Sequence, residues 1–326
     1  MKKMLGFLLM SLVSFTSLIS CNDSKKDDFP TVPILEDTRD HSIKKENTIT
    51  TINGDKVTYN MNTDKIVSLS SAGDLVSMGI RPLAVDGNAY TTGYSKFFNG
   101  VELLKNTQPF DPEEVLSYKP ELILVYNTME NSDIDRLKLI APVIPIYFDT
   151  YDYNLRVSYI GELFGLKENA DKLITYASET QKAILDEIKK VGIGDKTVTI
   201  FTSLQGITIP PDYNGAFAFN HILYDVLKFK KLKIVDDFLN DHSSQAFAAI
   251  SNEKIKDYEG DLTIYAALDG YEIPEQVTSN VGWKSLKAVK ENRVGVINML
   301  LYSFKDILYM EAQYSELLSA LKIANK

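Results

Sequence analysis

A pattern of an acidic helix start, a tight turn and an apolar strand occurs twice in this chain and limits the folds open to it. The first copy, 110–126, reads FDPEEVLSYKPELILVY. Asp111 suits an N-cap, and Pro112 suits the first helical position because the N–H that proline lacks is not needed there. Pro120 ends the helix, and the apolar run 122–125 is typical of a strand covered on both faces.

The second copy, 249–265, has an acid at the same place, since Glu253 lies 140 residues after Glu113. At that offset the residues that follow match in type: Val115 with Ile255, Tyr118 with Tyr258, Glu121 with Asp261, Leu122 with Leu262 and Leu124 with Ile264. Two generic helix-to-strand junctions are the alternative. Strands that alternate with helices along the chain favour parallel βαβ units and two α/β lobes of similar plan.

A long amphipathic helix is predicted between the two copies, over 168–191. Apolar residues keep helical spacing from Ala170 to Ile188, and Gly192 and Gly194 follow the last turn. At 1.5 Å per residue, about 24 residues span roughly 36 Å, which is the length of a domain. We therefore expect this helix to join two lobes.

The first residues have the features of an export signal. Lys2 and Lys3 precede the apolar run 4–19, and the sequence Leu-Ile-Ser-Cys ends at Cys21, the only cysteine. Leu-x-Ser-Cys resembles the lipobox of bacterial lipoproteins, in which the cysteine carries the lipid. A transmembrane anchor is the alternative, but the run is short for a span and 22–24 stop it abruptly.

These features divide the chain into five predicted parts. They are a lipoprotein signal peptide with its lipobox (1–21), a flexible polar tether (22–47), an N-terminal α/β lobe (48–166), a connecting helix (167–193) and a C-terminal α/β lobe (194–326). The net charge of −9 and the lack of a basic cluster argue against nucleic acid as a partner.

Three phrases of the sequence resemble one family. Residues 65–70 (KIVSLS), 111–125 and 283–294 resemble phrases of the ferric-siderophore and vitamin B12 class of substrate-binding lipoproteins of ABC importers. The chain is most similar to the ferric-hydroxamate receptors of Gram-positive bacteria, although either a Gram-positive or a Gram-negative host stays open. The resemblance implies a class III periplasmic-binding-protein fold, with two Rossmann-like α/β lobes joined by a single long helix.

The resemblance also implies partners and a location. The chain is expected to be an extracytoplasmic receptor, lipid-anchored to the cell membrane through Cys21, that delivers a ferric siderophore to an ABC permease and its ATPase. We expect a monomer with no catalytic residue, no resident cofactor and no direct metal ligand, because the iron arrives wrapped by its chelator. The family places one permease-docking glutamate on each lobe, here Glu113 and Glu253. The alternative for each acid is an ordinary helix-start residue.

The ligand is expected off the carboxyl ends of the strands, between the lobes. Those segments are rich in tyrosine, whose apolar face and hydroxyl suit a large, partly polar ligand. The expected ligand-binding residues are Ser71, Asn88, Tyr90, Tyr94, Gln108, Tyr126, Tyr151 and Tyr153 on the first lobe and Gln205, Tyr213, Phe217, Tyr271 and Tyr302 on the second. Tyr302 ranks first, because the resemblance places a pocket aromatic of the hydroxamate receptors there.

Charge separates the possible ligands. Related receptors commonly carry arginine in the loop after the first strand of the second lobe, but 212–220 has none. A highly anionic ligand would need several fixed cations. We therefore expect a neutral or cationic complex, as ferric hydroxamates are.

Other functions remain as alternatives. A cobalamin or haem receptor of the same class is the nearest, although no histidine among His41, His221 and His242 falls in a predicted cleft loop. A surface hydrolase and a purely structural lipoprotein are more remote. No nucleophile-elbow, P-loop or dinucleotide motif is present in the sequence.

Overall fold

Two sheets joined by one long helix organise the fold, which a computed structural model describes over residues 30–86, 95–105, 110–148, 150–203, 206–210, 218–242, 248–268 and 270–326. An antiparallel hairpin comes first, with β1 at Glu46–Thr50 and β2 at Lys56–Asn60. Its position is the one that Asn53-Gly54 predicts, and Gly54 takes a positive φ of 90° in the turn.

The N-terminal lobe is built on a five-stranded parallel sheet in the order β5-β4-β3-β6-β7. Its strands are β3 (Ile66–Ser68), β4 (Ala84–Asp86), β5 (Glu102–Leu104), β6 (Leu122–Tyr126) and β7 (Val143–Ile146). Its helices are α1 (Ala72–Ser77), α2 (Pro112–Ser117), α3 (Asn131–Lys138) and α4 (Tyr153–Phe164).

Both faces of this sheet are covered, which explains why the interior strand β6 is apolar over 122–125. Leu122 and Leu124 of β6 belong to one apolar cluster, while Ile123 and Val125 belong to another. Alternate residues of a strand point to opposite faces, so each cluster lies on one face of the sheet. The continuous apolar run that predicted a buried strand has this origin.

The connecting helix α5 covers Lys167–Val191 and packs against α4. The C-terminal lobe follows, with sheet order β11-β10-β8-β9, in which only β9 is antiparallel to its neighbour. Its elements are β8 (Val198–Ser203), β9 (Ile207–Thr208), α6 (Lys233–Asp241), β10 (Leu262–Ala267), α7 (Glu275–Thr278), α8 (Val281–Ser285), α9 (Lys287–Lys290), β11 (Val294–Asn298) and α10 (Met310–Ala324). The predicted fold class, two α/β lobes with one long helix between them, is confirmed.

The two copies of the repeated pattern hold their lobes together in the same way. The Glu121 carboxylate accepts a hydrogen bond from Lys65 Nζ at 2.9 Å, directly before β3. The Asp261 carboxylate accepts hydrogen bonds from the backbone N–H and the hydroxyl of Thr197, both at 2.8 Å, directly before β8. Each acid thus joins the start of one strand to the start of its neighbour, and these bonds lower the pKa of both carboxyls.

Two helix predictions in the C-terminal lobe were wrong. The acidic start at Glu253 is a turn followed by a short 3-10 helix at Ile255–Tyr258, because no side chain caps it as Asp111 caps α2. The single helix predicted over 283–289 is divided into α8 and α9 at Leu286, whose backbone is extended. The Glu259 carboxylate accepts the N–H groups of Lys287 and Ala288 and so starts a new helix there.

The segment before the hairpin also differs from the prediction of a flexible tether over 22–47. Val32 is buried, and the N–H of Leu35 donates to the carbonyl of Ser77 at 3.0 Å. Asn169 of α5 donates from its side chain to the carbonyl of Glu36 at 2.9 Å. Residues from about 30 onward therefore lie along the N-terminal lobe, and polar composition alone did not reveal these few apolar and backbone contacts.

The lobes meet at a buried ion pair. Asp74 of α1 and Arg156 of α4 form it, and both side chains are almost fully buried. The Arg156 guanidinium also donates to the carbonyl of Lys305, and the other oxygen of Asp74 accepts the N–H of Ile307 at 2.7 Å. The pair therefore belongs to the N-terminal lobe and binds the backbone of the C-terminal lobe.

A second acid, Asp306 of the C-terminal lobe, lies against this ion pair. The Asp306 carboxylate accepts the N–H of Gly73 at 3.1 Å. A Cβ on Gly73 would lie 2.8 Å from the Cβ of Asp306, so this approach requires glycine. Asp306 is thus buried close to the ion pair, and burial together with the negative charge of Asp74 raises the pKa of Asp306 to about 7.

This shift predicts how stability depends on pH. An unfolded Asp306 would titrate near its ordinary value of about 4, so between about pH 4 and pH 7 only the folded protein keeps this proton. Its contribution to stability is therefore greatest at low pH and is lost as the pH rises towards 7. Asp306→Asn should raise the midpoint of thermal unfolding more at pH 8 than at pH 5, relative to the unaltered protein.

The charged groups that face Asp306 are Asp74 and Arg156, with Tyr153 and Lys305 beside them. The side-chain amide oxygen of the Asp306→Asn variant could still accept the N–H of Gly73, as the carboxylate does. Asp171→Asn on the exposed face of α5 is the matched control and should show no such difference between the two pH values. An equal effect of Asp306→Asn at pH 5 and pH 8 would contradict the assignment.

Candidate ligand site between the lobes

The carboxyl ends of both sheets carry the residues that the sequence assigns to a ligand. Of these, Ser71, Tyr126, Tyr151, Tyr153, Tyr271 and Tyr302 lie in the described part of the chain. Asn88, Tyr90, Tyr94, Gln108, Gln205, Tyr213 and Phe217 lie outside the described residues, as does Cys21. The ligand contacts of all thirteen remain predictions, and the geometry of the first six is known.

Three rings form an aromatic row, Phe110–Tyr126–Phe148, at the ends of β6 and β7. Tyr126 lies 6.4 Å from Phe110 and 5.8 Å from Phe148 between ring centroids, with tilted planes in both pairs. Tyr126 and Phe148 are only half-buried, so each leaves part of its ring exposed. Burial, together with the charges of nearby acids, raises the pKa of Tyr126, which keeps the hydroxyl protonated and able to donate.

Lys305 connects this aromatic row to the C-terminal lobe. Its ammonium donates to the carbonyl of Phe148 at 2.6 Å and lies 4.1 Å from the centroid of the Phe148 ring. The same ammonium is 4.6 Å from the ring of Tyr151, which in turn stacks on His221 at 4.8 Å. Cation–π contact of this kind is strongest where water is excluded, and Lys305 is only 4% exposed.

Ser71 lies at the start of α1 in a left-handed backbone conformation, with φ at 56°. Such a conformation is unusual for a residue other than glycine and is held by its surroundings. The hydroxyl of Ser71 is 3.3 Å from that of Ser70. Ser71 thus presents a hydroxyl at the end of β3, one strand away from Tyr126.

The remaining tyrosines occupy different places. Tyr151 and Tyr153 line a cavity of about 460 Å³ together with His221. Tyr271 is 61% exposed and lines a separate cavity of about 730 Å³ beside Glu316 of α10. The predicted residues therefore do not all face one described cavity.

Tyr302, ranked first from the sequence, is fully buried. Its hydroxyl donates to the carbonyl of Gln313 at 2.9 Å, and its ring packs 5.2 Å from Phe219. In this arrangement the side chain supports the C-terminal lobe and offers no surface to a ligand. A strand-end position and an aromatic side chain predict nearness to a cleft, but they do not distinguish a ring that lines it from one that underlies it.

All five arginines are engaged away from the strand ends or below them. Arg156 lies in the ion pair between the lobes, Arg39 bonds Asp37 and two backbone carbonyls, and Arg293 bonds Glu291. Arg81 donates to carbonyls near Phe97, and Arg136 pairs with Asp133 on α3. Consequently none of them is placed to neutralise a multiply charged anion at the aromatic row.

The two acids of the repeated pattern are both exposed. Glu113 lies in the first turn of α2, and Glu253 lies in the turn before the 3-10 helix. Neither carboxylate forms an ion pair within the part of the chain that the structure describes. The adjacent acid Glu114 differs from Glu113, because its carboxylate accepts the N–H of Lys105 at 2.9 Å and is held in place.

A comparison with known families decides the class of the protein. Residues 66–298 match a family profile described as periplasmic binding protein, and this range covers more than half of the chain. The chain belongs to the periplasmic binding protein family. The family resemblance read from the sequence is thereby confirmed.

This binding protein is similar to iron-transport proteins of Gram-positive bacteria. The iron(3+)-hydroxamate-binding protein FhuD of Bacillus subtilis is 26% identical over 242 residues, covering 73% of this chain and 74% of that protein. The structure of FhuD2 from Staphylococcus aureus with bound ferrioxamine B has a TM-score of 0.66 at 23% identity, covering 80% of this chain and 99% of that one.

A third relative has a different ligand. The triscatecholate siderophore binding protein FeuA of Bacillus subtilis, complexed with ferri-bacillibactin, has a TM-score of 0.67 at 20% identity, covering 86% of this chain and 99% of that one. Hydroxamate and catecholate receptors thus share this fold to the same degree. The fold of the binding protein therefore does not select between the two ligand classes, and its own side chains must.

The sequence analysis did not identify several residues of the candidate site in this binding protein. Phe110, Phe148 and Lys305 complete the aromatic row and its link to the second lobe, but none was assigned to the ligand. Phe148 and Lys305 follow β7 and β11 by two and seven residues, so their strand-end positions were a usable signal. A fixed cation need not be an arginine, and here it is the ammonium of Lys305.

Two further findings concern metals and membranes. Over the described ranges, no three histidine, cysteine or carboxylate side chains converge where they could hold a metal ion. No helix in those ranges has both the length and the apolar character needed to cross a bilayer.

His221, expected outside the cleft, instead packs on Tyr151 where the lobes meet.

Proposed function

We propose that this binding protein is the extracytoplasmic receptor of an ABC importer for ferric hydroxamate siderophores. The observation that carries the proposal is the sequence similarity to an iron(3+)-hydroxamate-binding protein across 73% of the chain. The iron complex is the cargo, so the protein's task is to bind it between the lobes and deliver it. No step of this task requires a catalytic residue.

The side chains of the site support a ligand of low charge. The aromatic row offers half-exposed rings and a phenol hydroxyl, which suit the mixed apolar and amide surface of a hydroxamate chelator. The arginines are engaged elsewhere, and the ammonium of Lys305 is already held by Phe148. A ferric tris-catecholate carries several negative charges and would find few fixed cations here.

A haem receptor is the second candidate, and the stacked pair of Tyr151 and His221 favours it. Both side chains line the same cavity, and both residue types ligate haem iron in other proteins. Two relatives in sequence are named as iron(3+)-hydroxamate-binding proteins, so ferric hydroxamate remains the better candidate. The same binding experiment separates the two.

Purified protein should bind ferrioxamine B with a sub-micromolar Kd in calorimetric titration. Ferri-bacillibactin, haem and cobalamin should bind at least 100-fold more weakly, because the arginines are engaged away from the aromatic row and two relatives in sequence are named as iron(3+)-hydroxamate-binding proteins. Tyr126→Ala should weaken ferrioxamine B binding about tenfold through lost ring contact.

Tyr147→Ala is the matched control, because the Tyr147 ring packs on Tyr159 of α4 instead of on the aromatic row. It should leave the Kd for ferrioxamine B unchanged. Tight binding of the tris-catecholate without binding of hydroxamates would overturn the proposed ligand class, and tight binding of haem alone would establish the second candidate.

We further propose that Glu113 and Glu253 dock the receptor onto the permease. Both are exposed acids without an ion partner in the described ranges, and they occupy matched positions in the two lobes. An acid that serves only to start a helix would need no counterpart on the other lobe. The effect expected of such an acid is a fraction of a kcal/mol in stability.

The double change Glu113→Ala, Glu253→Ala should abolish cellular uptake of iron-55 ferrioxamine B, since arginines of the permease would lose both partners. The Kd of the purified variant for ferrioxamine B should be unchanged. Asp171→Ala with Glu179→Ala, two exposed acids of α5, is the control and should retain full uptake. A weaker Kd in the docking variant would show that these acids serve the ligand instead.

The proposal includes a lipid on Cys21, which would hold the receptor at the outer face of the cell membrane. A tethered receptor has a high effective concentration at its permease. Cys21→Ser should move the protein from the washed membrane fraction to the soluble fraction in immunoblots, and Ser24→Ala should not. Retention of Cys21→Ser in washed membranes would argue for another anchor.

A further inference from the structure

Large apolar side chains that are more than half exposed are few over the described ranges. They are Ile43, Leu116, Leu139, Tyr271 and Val281. Two of the five lie beside the matched acids Glu113 and Glu253, one on each lobe. A single exposed aliphatic side chain needs no explanation, but two that each lie next to one of a matched pair of acids do.

On the N-terminal lobe the neighbour is Leu116. Leu116 follows Glu113 by three residues on α2, so the two side chains share one face of the helix. Val115 faces the core and is 1% exposed, whereas Leu116 is 54% exposed. The helix therefore buries one aliphatic side chain and presents the next to solvent beside the acid.

On the C-terminal lobe the neighbour comes from a different element. The repeat would place Lys256 at the position of Leu116, but α8 supplies Val281, which is 79% exposed. Asn280 donates from its side chain to the side-chain oxygen of Asn252 at 2.7 Å. A Cβ on Gly282 would lie 2.2 Å from the carbonyl oxygen of Asn252, so the backbones are in close contact.

These contacts hold the backbone of Val281 close to that of Glu253. Residues 280 and 282 both contact Asn252, and Glu253 is the next residue in the chain. Glycine at 282 is required for this approach, since any side chain would displace the turn. On the C-terminal lobe, packing of α8 thus brings together an exposed acid and an exposed aliphatic residue. On the N-terminal lobe, one turn of α2 contains both.

An acid beside an exposed aliphatic side chain is a better docking point than an acid alone. Ion pairs in water contribute little, because solvent and salt screen them. An apolar contact at the edge of the pair excludes water and strengthens the charged hydrogen bonds inside it. The aliphatic stem of an arginine can cover such a side chain while its guanidinium meets the carboxylate.

We propose that Leu116 with Glu113, and Val281 with Glu253, form two composite contacts for the permease. Each contact fits a partner surface that presents a basic side chain next to an apolar one. The inference rests on the proposed function, because it names the contact residues of the same partner. The partner's apolar contribution would be buried only in the docked complex.

The test replaces the aliphatic residues and keeps the acids. Leu116→Ser and Val281→Ser, introduced singly and together in cells that produce this protein, should lower uptake of iron-55 ferrioxamine B about threefold each and about tenfold together. The Kd of each purified variant for ferrioxamine B should be unchanged. Leu139→Ser is the control, since Leu139 is 88% exposed at the end of α3, next to the amino end of β7, and should retain full uptake.

The outcomes separate this inference from the proposed function. Full uptake by the double serine variant, with uptake lost in Glu113→Ala, Glu253→Ala, would overturn the inference and leave the receptor function intact. An equal loss in Leu139→Ser would show a general surface effect and would also overturn it. Failure of the unaltered protein to bind any siderophore would remove the proposed function and this inference together.

Discussion

The ion pair between Asp74 and Arg156 is the interaction on which the arrangement of the two lobes depends. Both charges lie out of water, so each needs the other, and removal of one partner from a buried pair costs about 3–5 kcal/mol. Each of the two side chains also forms a hydrogen bond with the backbone of 305–307, in the other lobe. The lobes are therefore held by directional bonds as well as by apolar contact, and we expect a clamp that closes little around its ligand. One helix, α5, packs on α4 and α10 and supports the same junction.

The repeated pattern combines two kinds of acid that sequence alone does not separate. Glu121 and Asp261 join adjacent strand starts within each lobe and are structural. Glu113 and Glu253 are exposed and have no such partner in the described ranges. In each copy of the pattern, the acid that a partner could bind thus lies eight residues before the acid that holds the lobe together. The offset was visible in the sequence, but the distinction required the hydrogen bonds.

Much of the fold followed from local sequence signals. The apolar run 122–125, the Asn53-Gly54 turn and the spacing of 168–191 each reflect one element with a strong pattern of its own, and each appears at the expected place. The failures depend on contacts between distant residues. The break at Leu286 arises because Glu259 caps a new helix, and the packing of 30–47 arises from bonds to α1 and α5. For the candidate site, Tyr126 and Tyr151 lie at strand ends as the sequence indicates and their ligand contacts stay predictions, whereas burial of Tyr302 is a property of the packed lobe.

The packed segment before the hairpin would also limit the distance between the folded protein and the membrane if Cys21 carries the proposed lipid. Val32 and Leu35 attach this segment to the N-terminal lobe, so a lipid on Cys21, as proposed, would leave the ten residues 22–31 between the anchor and Val32. Ten residues span at most about 36 Å even when fully extended. A receptor anchored in this way would stay within about 36 Å of the bilayer and would bind the siderophores that diffuse to it.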